Sequence, residues 1–181
     1  MEDNNTTPFS VIYDSFLSKI TDDMYMELTK DETYRMLEDL LISAIPKFEF
    51  PRINLFDYEV GKEEDIEITD EEGTHTEKQY IVGYFNNILS LEEINILSTY
   101  MIVEWLGQQL ASIENVRMKF SGTDFKFTSQ ANHMQKLLVI KKDYEREGFH
   151  LQRLYKRRAP RKDGAPKSTL DIIMAPYKER G

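Results

Sequence analysis

Apolar residues recur along this chain at two periods, and the switch between them outlines its elements. Phe9, Ile12, Tyr13, Phe16, Leu17 and Ile20 fall at i, i+3, i+4, i+7, i+8 and i+11, one face of a short amphipathic helix after a polar leader and Pro8. Thr21-Asp22-Asp23 reads as a cap or turn. Thr29 or Asp31 can cap the next helix by accepting from its free backbone amides, and Glu32 adds negative charge to its first turn. Tyr34, Leu37, Leu40, Leu41, Ala44, Ile45 and Phe48 keep the helical period. Pro46, which lacks an N–H and clashes with the preceding turn, kinks or ends that helix.

From Phe48 to Phe56 apolar and polar residues alternate in part, which predicts extended chain. Residues 59–77 then hold 9 Asp and Glu and a single Lys, with Ile66 and Ile68 alternating against charge and Gly73 at a turn position. The preferred reading is a solvent-facing β-hairpin over about 63 to 84, returning through Lys78-Gln79-Tyr80-Ile81-Val82-Gly83-Tyr84-Phe85; a disordered acidic loop is the alternative. Ser90 and Glu93 spell a capping box that opens the longest helical segment, to about 118. Leu91, Ile94, Ile96, Leu97, Tyr100, Met101, Ile102, Val103, Trp105, Leu106, Leu110 and Ile113 cover nearly all its faces, as in a helix that is central or lies between subunits. A loop with Gly122 leads through Phe125-Lys126-Phe127 to Thr128 or Ser129, either a cap for a last long helix carrying Met134, Leu137, Leu138, Tyr144, Leu151 and Leu154 to about Arg158. Beyond it Pro160, Gly164, Pro166 and Pro176 break helices, and an apolar segment, Leu170 to Tyr177, follows a basic linker. The expected fold is mainly α: a bundle of about four helices over 1–158 with a β-hairpin insertion at about 59–84, and an extended C-terminal arm over 159–181.

With 181 residues, such a chain is long enough to bury roughly two thirds of the surface it would expose unfolded, so one domain with a packed core is expected. The absence of cysteine excludes a disulfide frame, a thiol nucleophile and a thiolate metal site, and fits an intracellular origin. The N-terminus has no basic stretch followed by an apolar one, and no run of about 18 apolar residues is free of charge, so neither secretion nor membrane spanning is expected. The net charge of −9 conceals an asymmetry. Residues 1–100 carry 7 Lys and Arg against 23 Asp and Glu, whereas residues 101–181 carry 16 against 9. Seven of those bases fall within 151–167.

Catalytic patterns are missing. His75, His133 and His150 stand far apart, each without a second His one turn away, so no metal site is expected. Asp65, Glu67 and Asp70 are spaced like a calcium loop, but its sixth position is Asp70 where Gly permits the turn, and its twelfth is Thr76 where a bidentate Glu belongs. Asp124-Phe125-Lys126 with Glu114 loosely matches the acid and lysine set of metal-dependent nucleases, yet Glu114 falls on a helix and such short matches are common by chance. Glycine-rich phosphate loops and a nucleophile elbow are absent. The chain is therefore expected to be no enzyme and to use no cofactor. Its basic cluster, Arg153, Lys156, Arg157, Arg158, Arg161, Lys162 and Lys167, can meet nucleic acid phosphates or an acidic protein surface; the acidic first hundred residues favour the protein partner.

One resemblance adds to this. The order of helices, the run Leu37-Glu38-Asp39-Leu40-Leu41-Ile42-Ser43-Ala44-Ile45-Pro46-Lys47-Phe48, the long apolar helix, the stretch from Met118 to Met134 and a final helix ending in Leu151-Gln152-Arg153-Leu154-Tyr155-Lys156-Arg157-Arg158 resemble head-to-tail connector (adaptor, neck) proteins of tailed bacteriophages, over roughly residues 9 to 158. The resemblance implies a structural virion protein in the neck, assembled in the bacterial cytoplasm, whose homo-oligomeric ring, commonly of twelve copies, sits between the portal protein and the tail or a second neck protein and extends the channel for viral DNA. It implies an arm over about 156–181 that docks on the portal through Lys156, Arg157, Arg158, Arg161, Lys162, Ile172, Ile173, Met174 and Tyr177. The acidic face Glu63, Glu64, Asp65, Glu67, Asp70, Glu71 and Glu72 would line the channel or meet the next ring. A DNA-binding packaging or head-completion accessory protein using the basic C-terminal region is the alternative.

Overall fold

A computed structural model describes residues 5–20, 28–70, 73–119 and 127–158. It is mostly helical, with small antiparallel sheets: α1 (Phe9–Leu17), α2 (Lys30–Ala44), α3 (Leu91–Lys119) and α4 (Phe127–Arg157). The strands are β1 (Thr7–Pro8), β2 (Tyr58–Glu59), β3 (Lys62–Asp70), β4 (Gly73–Ile81) and β5 (Tyr84–Phe85). The segments read as the Thr21-Asp22-Asp23 turn, the Gly122 loop with Asp124, and the arm over 159–181 lie outside the described residues.

Local chemistry fixes the helix ends. At α2 the capping residue is Thr29, not Asp31: its hydroxyl accepts from the Glu32 amide while the Glu32 carboxylate takes the Thr29 amide at 3.0 Å. The Thr29 amide and hydroxyl both donate to the Glu32 carboxylate and hold it below the usual carboxylate range. Pro46 terminates α2, which passes into a single 3-10 turn over Ile45–Lys47. The predicted box at Ser90 is present as well, with Glu93 taking the Ser90 amide and hydroxyl, both at 2.7 Å.

Helix α3 is the hub. Helices α1, α2 and α4 each pack on it, and no other pair of helices among the described residues shares a comparable contact. Ile96, Leu97, Met101, Ile102, Val103 and Leu106 are buried along α3, facing Phe9, Ile12, Tyr13 and Phe16 of α1, Leu37, Leu40, Leu41 and Ala44 of α2, and Tyr155 of α4 within one core. An all-round apolar helix has nowhere else to go, since any face left in water costs about 25 cal/mol per Å². Helix α4 comes close enough that a Cβ on Gly148 would lie 2.7 Å from the Tyr100 ring, so glycine is needed at that crossing.

Two sheets decorate the helices. Strands β1 and β2 flank β5 in an antiparallel trio, with Phe85 paired to Thr7 and Tyr58 and aromatic contacts joining Phe9, Tyr58 and Phe85. Gly83 is required there: its carbonyl accepts from the Phe9 amide at 2.9 Å, and a Cβ would lie 2.3 Å from the Glu59 carbonyl. Strands β3 and β4 form the acidic hairpin, from Lys62 opposite Ile81 to Asp70 opposite Gly73. Its main contact with the helices is at its base, where β4 meets α2.

Four expectations need correction. The hairpin closes at Ile81 and not at about 84, because Gly83 turns the chain so that Tyr84 and Phe85 join the other sheet. Residues 48–56 form no strand; they bend, with Asn54 accepting from the Phe56 amide at 3.1 Å. Helix α4 begins at Phe127, placing Thr128 and Ser129 inside its first turn instead of at its cap. With 31 residues it, and not the 29-residue α3, is the longest helix.

Truncating the fully buried Leu97→Ala in the second turn of α3 is expected to lower stability by about 2–5 kcal/mol, whereas Leu91→Ala, at 84% exposure in the same helix, is expected to stay within about 0.5 kcal/mol. Urea unfolding of the two variants beside the parent chain measures both.

Candidate functional site

The C-terminal end of α4 is bound into the molecule by a polar network that the sequence did not announce. Gln152, buried, accepts from the Glu49 amide at 2.8 Å and donates to the Lys47 carbonyl at 2.9 Å and to the Tyr100 hydroxyl. One turn on, the Tyr155 hydroxyl donates to the buried Glu93 carboxylate and accepts from the Arg52 amide at 3.2 Å. The Arg52 guanidinium lies 3.8 Å from the centre of the Tyr155 ring and donates to the Tyr155 carbonyl. Burial, then the hydrogen bond and charge of Glu93, push the Tyr155 phenol well above its ordinary range. Alternating helical periodicity pointed to Leu151 and Leu154 as the inward residues; both are half-buried while Gln152 and Tyr155 carry the anchoring, a role no spacing rule reveals.

This anchoring fixes where the chain leaves the fold. Arg158 reaches back to Glu92 in the first turn of α3 at 2.5 Å. Between them opens a cleft of about 160 Å³ lined by Glu92, Asn95, Ile96, Leu151, Leu154, Tyr155 and Arg158. Lys19 Nζ donates to Asn95 Oδ1 at 2.8 Å and to the fully buried Ser98 hydroxyl at 2.6 Å, and burial lowers its pKa.

Among the residues expected to dock on a partner, Lys156 is exposed with its ammonium 4.0 Å from the Phe50 ring centre, Arg157 is exposed, and Arg158 is engaged by Glu92. Arg161, Lys162, Ile172, Ile173, Met174 and Tyr177 lie outside the described residues. What the sequence reading missed is a basic stripe further up the helix. Lys142, Arg146, His150, Arg153 and Arg157, all exposed, stand at i, i+4, i+8, i+11 and i+15, one face of α4 about 22 Å long. Its i, i+4 spacing is legible in the sequence, overlapping the denser basic cluster over 151–167. Within this stripe Arg146 pairs with Asp143 at 3.1 Å.

The acidic face is less free than its composition suggests. Glu63 pairs with Arg35 of α2, Glu64 with Lys62 at 2.6 Å, and Asp65 stands opposite Lys78 in the hairpin register. Glu67 and Asp70 fall on β3, whereas Glu71 and Glu72 are outside the described residues. At the hairpin base Tyr80 donates to the buried Glu38 carboxylate, which also takes the Gly61 amide at 2.7 Å, and burial followed by Glu38 pushes the Tyr80 phenol up to about 12. No group of three metal-ligating side chains converges among the described residues, and His133 and His150 are exposed. Comparison with protein-family models, curated proteins and solved structures finds no match to this chain.

Two outcomes follow from these contacts. Tyr155→Phe removes a donor from the buried Glu93 carboxylate and an acceptor from the Arg52 amide, so a loss of about 1–3 kcal/mol is expected by urea unfolding with the helical circular dichroism retained. The phenols also set an alkaline limit. Tyr80 is held protonated to about 12 in the fold against 10.0 for an ordinary phenol, and Tyr155 and Tyr100 shift in the same direction. Below pH 10 folded and unfolded chains both keep these phenol protons, which then add no slope; above it the unfolded chain sheds protons that the fold retains, and stability falls through about pH 12. Tyr80→Phe is expected to flatten that fall in a pH series of thermal melts.

Proposed function

We propose that this chain is a structural virion protein of a tailed bacteriophage: a head-to-tail connector (adaptor) whose copies, twelve in number, form a ring in the neck between the portal and the tail or next neck protein, extending the DNA channel. In this reading the four helices are a connector bundle over 1–158, the β3–β4 hairpin is an insertion in it, and 159–181 is the arm that docks on the portal. The ring assembles in the bacterial cytoplasm, passes viral DNA without reading its sequence, and uses no catalytic residue or cofactor.

The observation that carries the reading is the outer surface of α4. Leu138, Val139, Ile140 and Phe149 are 36%, 49%, 42% and 53% exposed. Four consecutive apolar residues, Leu137 to Ile140, spread around a helix that among the described residues packs on one other helix, α3, so most of them face away from the core. Apolar surface of this kind on a long outer helix suits contact with further copies of the chain. Opposite charge on hairpin and α4 favours a head-to-tail contact, which closes into a ring when the rotation per subunit divides a full turn. The basic stripe from Lys142 to Arg157 favours the second reading, a DNA-binding packaging or head-completion protein.

The deciding measurement is the mass of the purified chain by light scattering, alone and with a portal. A ring, or a complex with the portal that is lost when residues 159–181 are removed, is the expected result; a monomer that ignores the portal overturns the connector. A DNA affinity that falls steeply with salt and is lost in Arg146→Glu/Arg153→Glu supports the accessory protein instead. Leu138→Asp with Ile140→Asp is expected to weaken self-association by at least about tenfold while leaving the thermal melt of the monomer nearly unchanged, since both residues are exposed.

A further inference from the structure

The cleft at the end of α4 is a built recess whose lining asks for an apolar occupant with a polar edge. Ile96, Leu151 and Leu154 supply apolar wall, and Glu92, Asn95 and Arg158 supply polar rim. At about 160 Å³ it takes one large side chain, offered by a segment lying across its mouth.

We propose that its occupant is the chain's own apolar segment, Leu170 to Tyr177, so that the arm folds back on its root and stays sheathed until a partner draws it out. Three observations carry this. First, the described chain ends at Arg158, and Arg158 is itself one wall of the cleft, so the arm starts at the rim of its own seat. Second, residues 159–169 form a tether of 11 residues, about 36 Å when extended, with Pro160, Gly164 and Pro166 to reverse its direction; a return to the rim needs only a fraction of that length. A tether this short holds the segment at a millimolar effective concentration, far above that of any neighbouring copy in dilute solution. Third, the chemistry matches: an extended segment presents Leu170, Ile172 and Met174 on one side, any one of which can fill the apolar wall of Ile96, Leu151 and Leu154, while Asp171 beside them has Arg158, 53% exposed at its side chain, within the same rim.

This self-docking needs no partner and stands whether or not the connector reading does. It gives the arm two states, folded back in the free subunit and extended in an assembly, and partner binding must outcompete the intramolecular contact.

The lack of cysteine in the chain allows a direct test. Glu92→Cys with Ile172→Cys places the only two thiols at the rim and in the segment; Asp65→Cys with Ile172→Cys, whose first thiol sits on the exposed hairpin, is the control. Under mild oxidation of the dilute full-length chain, the first pair is expected to close an intramolecular disulfide at least about tenfold faster than the control, read as a faster-migrating monomer on a non-reducing gel. Equal rates overturn the proposal, because the arm then has no preferred seat. Disulfide-linked dimers as the main product also overturn it, since the occupant is then a neighbour's arm. A chain that closes the disulfide yet ignores the portal overturns only the connector, and a chain that binds the portal while cross-linking no faster than the control overturns only the self-docking.

Discussion

Everything in this fold depends on covering one helix. Because α3 is apolar on nearly every side, it is stable only inside a sleeve, and α1, α2 and α4 are that sleeve, each in contact with α3 more than with one another. The arrangement explains why the two capping boxes matter unequally. At α2 the box is exposed and sets a boundary; at α3 the same motif supplies Glu93, a buried carboxylate that α4 then uses as an anchor through Tyr155. A capping side chain and a tertiary contact are here the same atoms. Such a carboxylate tolerates burial because three donors surround it, the Ser90 amide and hydroxyl and the Tyr155 phenol.

The polar network around Gln152 and Tyr155 complements the apolar sleeve. Hydrophobic burial would allow α4 to slide or rotate on α3 with little change in buried area, since cores tolerate shape changes that conserve volume. Hydrogen bonds to the Lys47 carbonyl, the Glu49 and Arg52 amides and Glu93 permit a single register. The segment after α2 forms no strand: the Lys47 carbonyl and the Glu49 and Arg52 amides are bonded by side chains of α4, which is why partial alternation over 48–56 misled the sequence reading.

Legibility in the sequence follows the range of the physics. Caps, the proline stop of α2, the all-round apolarity of α3 and the alternation of the hairpin are short-range patterns, and the helices stand where they predict, to within a few residues. Long-range choices were not legible. That the hairpin ends at Ile81 depends on the Gly83 carbonyl meeting Phe9; that Gln152 is buried depends on the Lys47 carbonyl and the Glu49 amide, contributed a hundred positions earlier. The candidate surfaces divide likewise: the stripe on α4 is an i, i+4 pattern written in the sequence, whereas the pairing of Glu63 with Arg35 and of Arg158 with Glu92 needs the fold.

The network at Gln152 also bears on how the protein is made. Its bonds join Glu49 to Gln152 and Arg52 to Tyr155, each across 103 positions. During synthesis α1, α2 and α3 emerge before the helix that completes them, leaving one side of α3 without its cover and the segment over 47–52 without its anchors until the last described turns have appeared. Long sequence separation of this kind delays closure. A nascent chain at that stage presents an apolar groove the length of a helix, the type of surface that holding chaperones recognise and that neighbouring nascent chains can join. For this protein the vulnerable interval is set by the interval between translation of the third helix and of the fourth.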